Sequence, residues 1–369
     1  DLSISGYSLS PDGKRVLMVA RGDIFSLPAE KGPVVNVSRS PGSHEREAEW
    51  SPDGSRIAWF SDASGEYEVY TAPADNMTQA TRLTSFNEGY PTNLQWSPDG
   101  KKLYFSTLHW DVYELDVDSK ALTRIIVGKD AAIRAFTLSP DGTWAAYTTE
   151  MPNYMSGLWL FELKARKSYQ VTDRWYPAGQ PLFSRDGKYL FFTSSRELRS
   201  QYSDVEWNAS YSLSDYVFIL PLAKDTPNPL TLENDEYEIR RSEPANDGSP
   251  APVTKVDLDG LAQRATALPL PAGRYRLLLA DGDKLYYISF GGPGGRGNAS
   301  VKTFDLKTLQ TGDGPADMPL VLTPDAKKAL VRSEGKYKVV PFGGPAPRGT
   351  AAVPTDEIDM IVDHEAEWA

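Results

Sequence analysis

A four-residue turn recurs along this chain at nearly constant intervals, and that recurrence constrains the fold more than any other feature. Ser10-Pro11-Asp12-Gly13 returns as Ser51-Pro52-Asp53-Gly54, Ser97-Pro98-Asp99-Gly100 and Ser139-Pro140-Asp141-Gly142. Ser184-Arg185-Asp186-Gly187 is a variant, Thr323-Pro324-Asp325-Ala326 has alanine in place of glycine, and Ala280-Asp281-Gly282 is a degenerate copy. The first four steps are 41, 46, 42 and 45 residues, and the last is 43; only the step of 96 from Ser184 to Ala280 is out of line. Seven repeats follow, with the fifth enlarged.

The motif has a mechanism. Serine, proline, aspartate and glycine occupy the four positions that a type I turn favours, proline presetting its own backbone angle and serine able to bond back to the turn. The flanks read as strands: Ala48-Glu49-Trp50 before a turn, Arg56-Ile57-Ala58-Trp59-Phe60 after it, with Lys102-Leu103-Tyr104-Phe105 as the next counterpart. A third strand follows in each repeat, such as Tyr67-Glu68-Val69-Tyr70 or Leu158-Trp159-Leu160-Phe161, and a weaker fourth, such as Thr81-Arg82-Leu83-Thr84. Four short strands every 40 to 46 residues are the pattern of a propeller blade. Helix-pair solenoids repeat at similar periods, but these repeats are too rich in proline, glycine and β-branched residues, and no sustained 3.6-residue apolar period appears. The fold class is therefore all-β, a seven-bladed β-propeller with four-stranded antiparallel blades.

The expected organisation is a propeller over 1–355 and a tail over 356–369 leading to a downstream domain. The enlarged fifth blade carries insertions at about 196–214 and 231–250. Either Leu2-Ser3-Ile4, or Asp356 to Val362, or neither, completes the last blade. The start lacks an initiator methionine and a signal peptide, so the chain reads as mature or excised.

Composition narrows the partners. The 39 basic and 50 acidic residues give a net charge of −11, which argues against nucleic acid or an anionic membrane surface as the main target. No apolar run is long enough for a membrane span. Cysteine is absent, so disulfides and thiolate chemistry are excluded. The compartment stays open, with the cytoplasm ahead of the periplasm.

Two stretches carry a family resemblance. Glu45-Arg46-Glu47-Ala48-Glu49-Trp50-Ser51-Pro52-Asp53-Gly54, continuing through Ser61-Asp62-Ala63-Ser64-Gly65-Glu66-Tyr67-Glu68, resembles the second propeller of tricorn-type proteases. So does Val256-Asp257-Leu258-Asp259-Gly260-Leu261-Ala262-Gln263-Arg264, leading to Leu268-Pro269-Leu270-Pro271-Ala272-Gly273. The turn motif is shared by many propellers, whereas Asp-Gly-Leu-x-x-Arg before Leu-Pro-x-Pro-x-Gly is far more specific. In that family a helical region, a PDZ-like domain and a serine-peptidase core follow the propellers, and the catalytic serine, histidine and acidic residues lie there. No position here matches them. The resemblance implies a non-catalytic propeller that gates or channels peptides toward a peptidase core of the parent chain, itself compatible with a homo-oligomer. A docking propeller resembling the Tol-system periplasmic protein is the alternative, and a prolyl-oligopeptidase propeller a third reading.

The residues offer little chemistry of their own. His44 sits in a polar loop, His109 near a hairpin end and His364 in an acidic tail; Gly-x-Ser-x-Gly is absent. No His or Cys pair has zinc spacing, and the Asp-x-Asp runs at 116–118, 257–259 and 281–283 lack the further ligands of a calcium loop. The Gly-rich run 291–297 lacks the lysine and helix of a phosphate loop and reads as a hairpin tip between Ile288 and Val301. No metal or cofactor is expected. The remaining candidates follow from register. The strand before each turn is usually the innermost of a blade, so Arg46, Glu47, Thr92, Asn93, Arg134 and Gln180 are expected to approach the channel, with Tyr90 and Tyr176 opening the same segments.

Overall fold

Each Ser-Pro-Asp-Gly turn joins the first and second strands of an antiparallel sheet. A computed structural model of the chain describes residues 4–39, 42–86, 90–108, 111–128, 133–173, 175–195, 215–231, 253–291, 298–344, 347 and 349–359. Blade 1 holds Ile4–Leu9, Arg15–Ala20, Asp23–Pro28 and Val35–Asn36; blade 2 holds Glu45–Trp50, Arg56–Ser61, Glu68–Pro73 and Thr81–Arg82. Blade 3 holds Pro91–Trp96, Lys102–Thr107, Val112–Asp116 and Leu122–Ile126; blade 4 holds Ile133–Leu138, Trp144–Glu150, Ser156–Glu162 and Lys167–Gln170. Blade 5 holds Ala178–Phe183, Tyr189–Ser194, Tyr216–Pro221 and Thr266–Ala267; blade 6 holds Arg274–Asp281, Lys284–Phe290, Ala299–Asp305 and Gln310–Asp313. Blade 7 holds Pro319–Leu322, Lys328–Ser333 and Lys336–Pro341. The chain is a seven-bladed β-propeller. Two compact units contain these sheets: Asp1–Ile133 with Pro315–Ala369, and Arg134–Gly314.

The turn is held the same way wherever the motif is intact. The Ser51 hydroxyl donates to Asp53 Oδ1 at 2.6 Å and accepts the Arg56 N–H at 2.9 Å, while Asp53 also takes the Ser55 N–H at 3.0 Å. The same donor and acceptor pair recurs at Ser10, Ser97, Ser139, Ser184 and Thr323. The fourth residue is left-handed, with φ of 71° at Gly54; Ala326 occupies that conformation at 56° against the steric preference of a β-carbon. The degenerate copy builds something else. Asp281 pairs directly with Lys284, so Gly282 and Asp283 form a two-residue hairpin without the serine bracket.

The second strands show why the sequence reads as unbroken apolar runs rather than alternation. Arg15–Ala20, Arg56–Ser61, Lys102–Thr107 and Tyr189–Ser194 are each buried from their second residue to their last. A blade between two others buries both faces, and the core is the set of these stacked faces. In the first unit one apolar cluster joins blades 7 and 1, another blades 1 and 2, and a third blades 2 and 3, where Phe60 meets Phe105 edge-on at 5.8 Å. In the second unit the clusters join blades 4 and 5, then blades 5 and 6.

Blade 5 shows what the Asp-Gly-Leu-x-x-Arg segment is for. Its fourth strand is only Thr266–Ala267, paired to Phe218 and Ile219, so the rest of the third strand's outer edge needs another partner. Gly260 turns the chain at φ 66°, Leu261 drops into the apolar cluster of blades 4 and 5, and Arg264 returns to the edge. Its guanidinium donates to the carbonyls of Pro221 (3.0 Å), Leu222 (2.8 Å), Asp257 (2.5 Å) and Asp259 (2.9 Å). Only arginine offers enough donors in a planar fork for this set. Leu268 and Leu270 of the second quoted segment then pack between blades 5 and 6. Of the two expected insertions, 196–214 and all but Thr231 of 231–250 lie outside the described residues.

Neither expected segment completes blade 7 among the described residues. Ile4 belongs to blade 1, and 354–359 forms no strand. The passing Val353 N–H bonds the Tyr337 carbonyl at 2.8 Å, and Val353 and Ile358 join the cluster of blades 7 and 1. The Ile288↔Val301 pairing expected across the Gly-rich run is present, although 292–297 lie outside the described residues.

Candidate functional site

The first strands share an irregularity that the turn motif does not announce. Pairing to the second strand slips within the first strand in blades 1, 2, 3, 5, 6 and 7. Glu47, Asn93, Ala135 and Gln180 are left-handed, with φ of 48°, 60°, 47° and 51°, each four residues before its turn serine. A bulge bends the strand and re-aims the side chain at that point. Three of the six register-derived candidates, Glu47, Asn93 and Gln180, are therefore the bulge residues themselves.

In the first unit Arg46 lies over two rings. Its Cζ is 3.9 Å from the Tyr90 centroid and 5.4 Å from that of Tyr67, and the rings meet edge-on at 5.2 Å. The guanidinium contacts Glu47 at 3.5 Å and the Pro91 carbonyl at 3.4 Å. The Tyr67 hydroxyl meets His44 Nδ1 at 3.1 Å, and the His44 N–H donates to Asp62 at 2.6 Å. Burial, then the charge of Asp62, pushes the Tyr67 hydroxyl up, so it stays protonated at neutral pH. Glu47 Oε2 accepts the Leu94 N–H at 3.0 Å, tying blade 2 to blade 3. Thr92 and Asn93 converge on Ser106, at 3.1 and 2.9 Å.

In the second unit Gln180 works as Glu47 does. Its amide donates to the Tyr275 carbonyl at 2.6 Å and accepts the Leu277 N–H at 3.1 Å, joining blade 5 to blade 6. Arg134 stays exposed, 4.0 Å from Glu150. The structure thus gathers Arg46 and Glu47 with Tyr90, and Thr92 with Asn93. Tyr176 is half-buried. A cavity of about 630 Å³ that sequence reasoning did not reach lies in the same unit. Asn153, Gln170, Val171, Thr172 and Trp175 line it, and Trp175 is 78% exposed. Only an aromatic residue in a polar loop hinted at it.

Sequence reading also passed over Glu49. The cue was present as alternating carboxylates, Glu45, Glu47 and Glu49, on one short strand. No group of three His, Cys, Asp or Glu able to hold a metal exists among the described residues. His44 spends its ring on Tyr67, and His109 and His364 lie outside the described residues. What the arrangement can do is hydrogen-bond a polar chain and stack against it.

Fold and site together define a seven-bladed β-propeller whose first strands carry carboxylate, amide and guanidinium groups at their bulges. The family model of the Tricorn protease second beta propeller domain matches residues 4–343, and the chain belongs to that family. Tricorn protease homolog 1 of Streptomyces coelicolor is 24% identical, over 98% of this chain and 36% of its own length. The Tricorn protease of Thermoplasma acidophilum is 23% identical, over 83% of this chain and 28% of its own. A crystal structure of the tricorn protease superposes with a TM-score of 0.77 at 21% identity, over 96% of this chain and 34% of that one. The chain thus spans about a third of the relatives it matches. Solved TolB structures are distant, at TM-scores of 0.43 and 0.42.

Proposed function

We propose that this propeller serves a tricorn-type serine peptidase by admitting and positioning peptides for a peptidase core elsewhere in the parent protein. Family membership over 4–343 is the observation that carries the reading. The first-strand geometry supports it: Arg46, Glu47, Thr92, Asn93, Arg134 and Gln180 are the residues we assign to peptide contact. A peptide offers alternating donors and acceptors, which mixed amide, carboxylate and guanidinium groups match. Arg46 is preset for such contact, because its two rings fix the guanidinium plane before any ligand arrives.

The test has two arms. The isolated chain, incubated with labelled peptides, should bind them without turnover, and Arg46→Ala and Asn93→Ala should weaken binding. In the parent peptidase the same substitutions should lower kcat/KM for long peptides while sparing a minimal chromogenic substrate. Unchanged kinetics for both substrate lengths would refute the peptide-handling role. Serine-inhibitor-sensitive turnover by the isolated chain would refute its non-catalytic nature.

A further inference from the structure

The first strand of blade 2 carries a carboxylate with no counter-ion at a junction of three blades. Glu49 Oε2 accepts a hydrogen bond from the Ser8 hydroxyl of blade 1 at 2.8 Å. That hydroxyl oxygen also accepts the Trp50 N–H at 3.3 Å, so Ser8 bridges the side chain of one residue and the backbone of the next. From the other side the Trp96 indole N–H of blade 3 donates to the Glu49 carbonyl at 3.2 Å. Blade 1 thus offers Glu49 a neutral hydroxyl and blade 3 an indole. The second strand of its own sheet pairs Ala58 with it. The charged neighbour is Glu47, on the same strand and of the same sign, held by the Leu94 N–H and Arg46. Glu49 forms no ion pair with any described residue.

We propose that Glu49 is a proton-operated joint between the first strands of blades 1 and 2, closed when its carboxyl is neutral and loosened when it ionises. Burial, the largest influence, and the Glu47 charge push the carboxyl up from 4.5 to about 7, although the Ser8 hydrogen bond pulls the other way. An acid whose folded value is raised stabilises the fold below its unfolded value, and that contribution is lost as pH rises through the folded one. The window is therefore about pH 4.5 to 7, with the joint loosest on the alkaline side. Ionisation places a second anion beside Glu47, whose own cation, Arg46, is held over the Tyr67 and Tyr90 rings, and the remedy open to the fold is to part the strands and admit water. The joint lies three residues from Arg46, but it stands whether or not that residue touches peptides.

The side-chain carboxyl carbon of Glu49, assigned by through-bond correlation and followed by NMR in the intact chain, tests this directly. The expected midpoint is near neutrality, moving down in Glu47→Gln. The melting temperature of the unsubstituted chain should fall between about pH 4.5 and 7 and level off above, relative to that of Glu49→Gln, which lacks this step. A midpoint in the ordinary carboxylate range, one indifferent to Glu47→Gln, or the same fall over that window in Glu49→Gln would each overturn the proposal. The first two readouts do not depend on the stability of Glu49→Gln.

Discussion

Replacing Arg264 isolates the contribution of the family-specific segment to blade 5. Its guanidinium meets four carbonyls, but they are not equivalent. Leu222 keeps a second partner in the Asp257 N–H at 2.9 Å, and the bond to Asp259 is exposed to solvent. The loss therefore falls mainly on Pro221 and Asp257, in partly buried surroundings. A hydrogen bond to a charged donor contributes about 1.5 kcal/mol at the low end, and leaving a covered carbonyl unpaired costs a similar amount, so Arg264→Ala should cost about 3 kcal/mol. Arg264→Lys supplies one ammonium without the fork and should cost about half of that. Urea unfolding of the three proteins reads both values from the midpoints at constant m. If both variants fall within about 0.5 kcal/mol of the parent, as ordinary surface changes do, the segment is not a structural clamp. A loss equal in Lys and Ala would instead mean that geometry rather than charge is what the edge requires.

The turns give two further predictions. Ser51→Ala removes a donor to Asp53 and an acceptor for Arg56, and should cost about 1–2 kcal/mol by thermal or urea unfolding. The Ser51 hydroxyl, then the Ser55 N–H and hydroxyl, hold Asp53 down from 3.8 to about 2. A depressed acid stabilises above its unfolded value and loses that contribution as pH falls through the folded one, so the gap between Ser51→Ala and the parent should narrow from pH 4 to 2. Ala326→Gly relieves a left-handed alanine and should raise stability by about 0.5–1 kcal/mol, read as a higher melting temperature; a lower one would show that the turn tolerates φ 56° without strain.

The repeated turn made the blade count and the strand order within a blade legible in the sequence. Each rests on interactions within about six residues, such as the Ser51–Asp53–Arg56 bracket, and local chemistry is written in local sequence. Even the Gly-rich hairpin between Ile288 and Val301 could be placed this way. The register that nominated Glu47, Asn93 and Gln180 was legible too, because the bulge keeps a fixed distance from the turn. What those side chains meet was not. Glu47 reaches Leu94, Gln180 reaches Tyr275, and Ser8 reaches Glu49 across separations of 47, 95 and 41 residues. Only packing one sheet on the next brings these partners together. The same holds for the Arg264 clamp, whose motif was recognisable while its four carbonyls were not. It holds also for Glu49, an ordinary glutamate in the chain whose proton affinity is set by a seam that exists only once the blades have stacked.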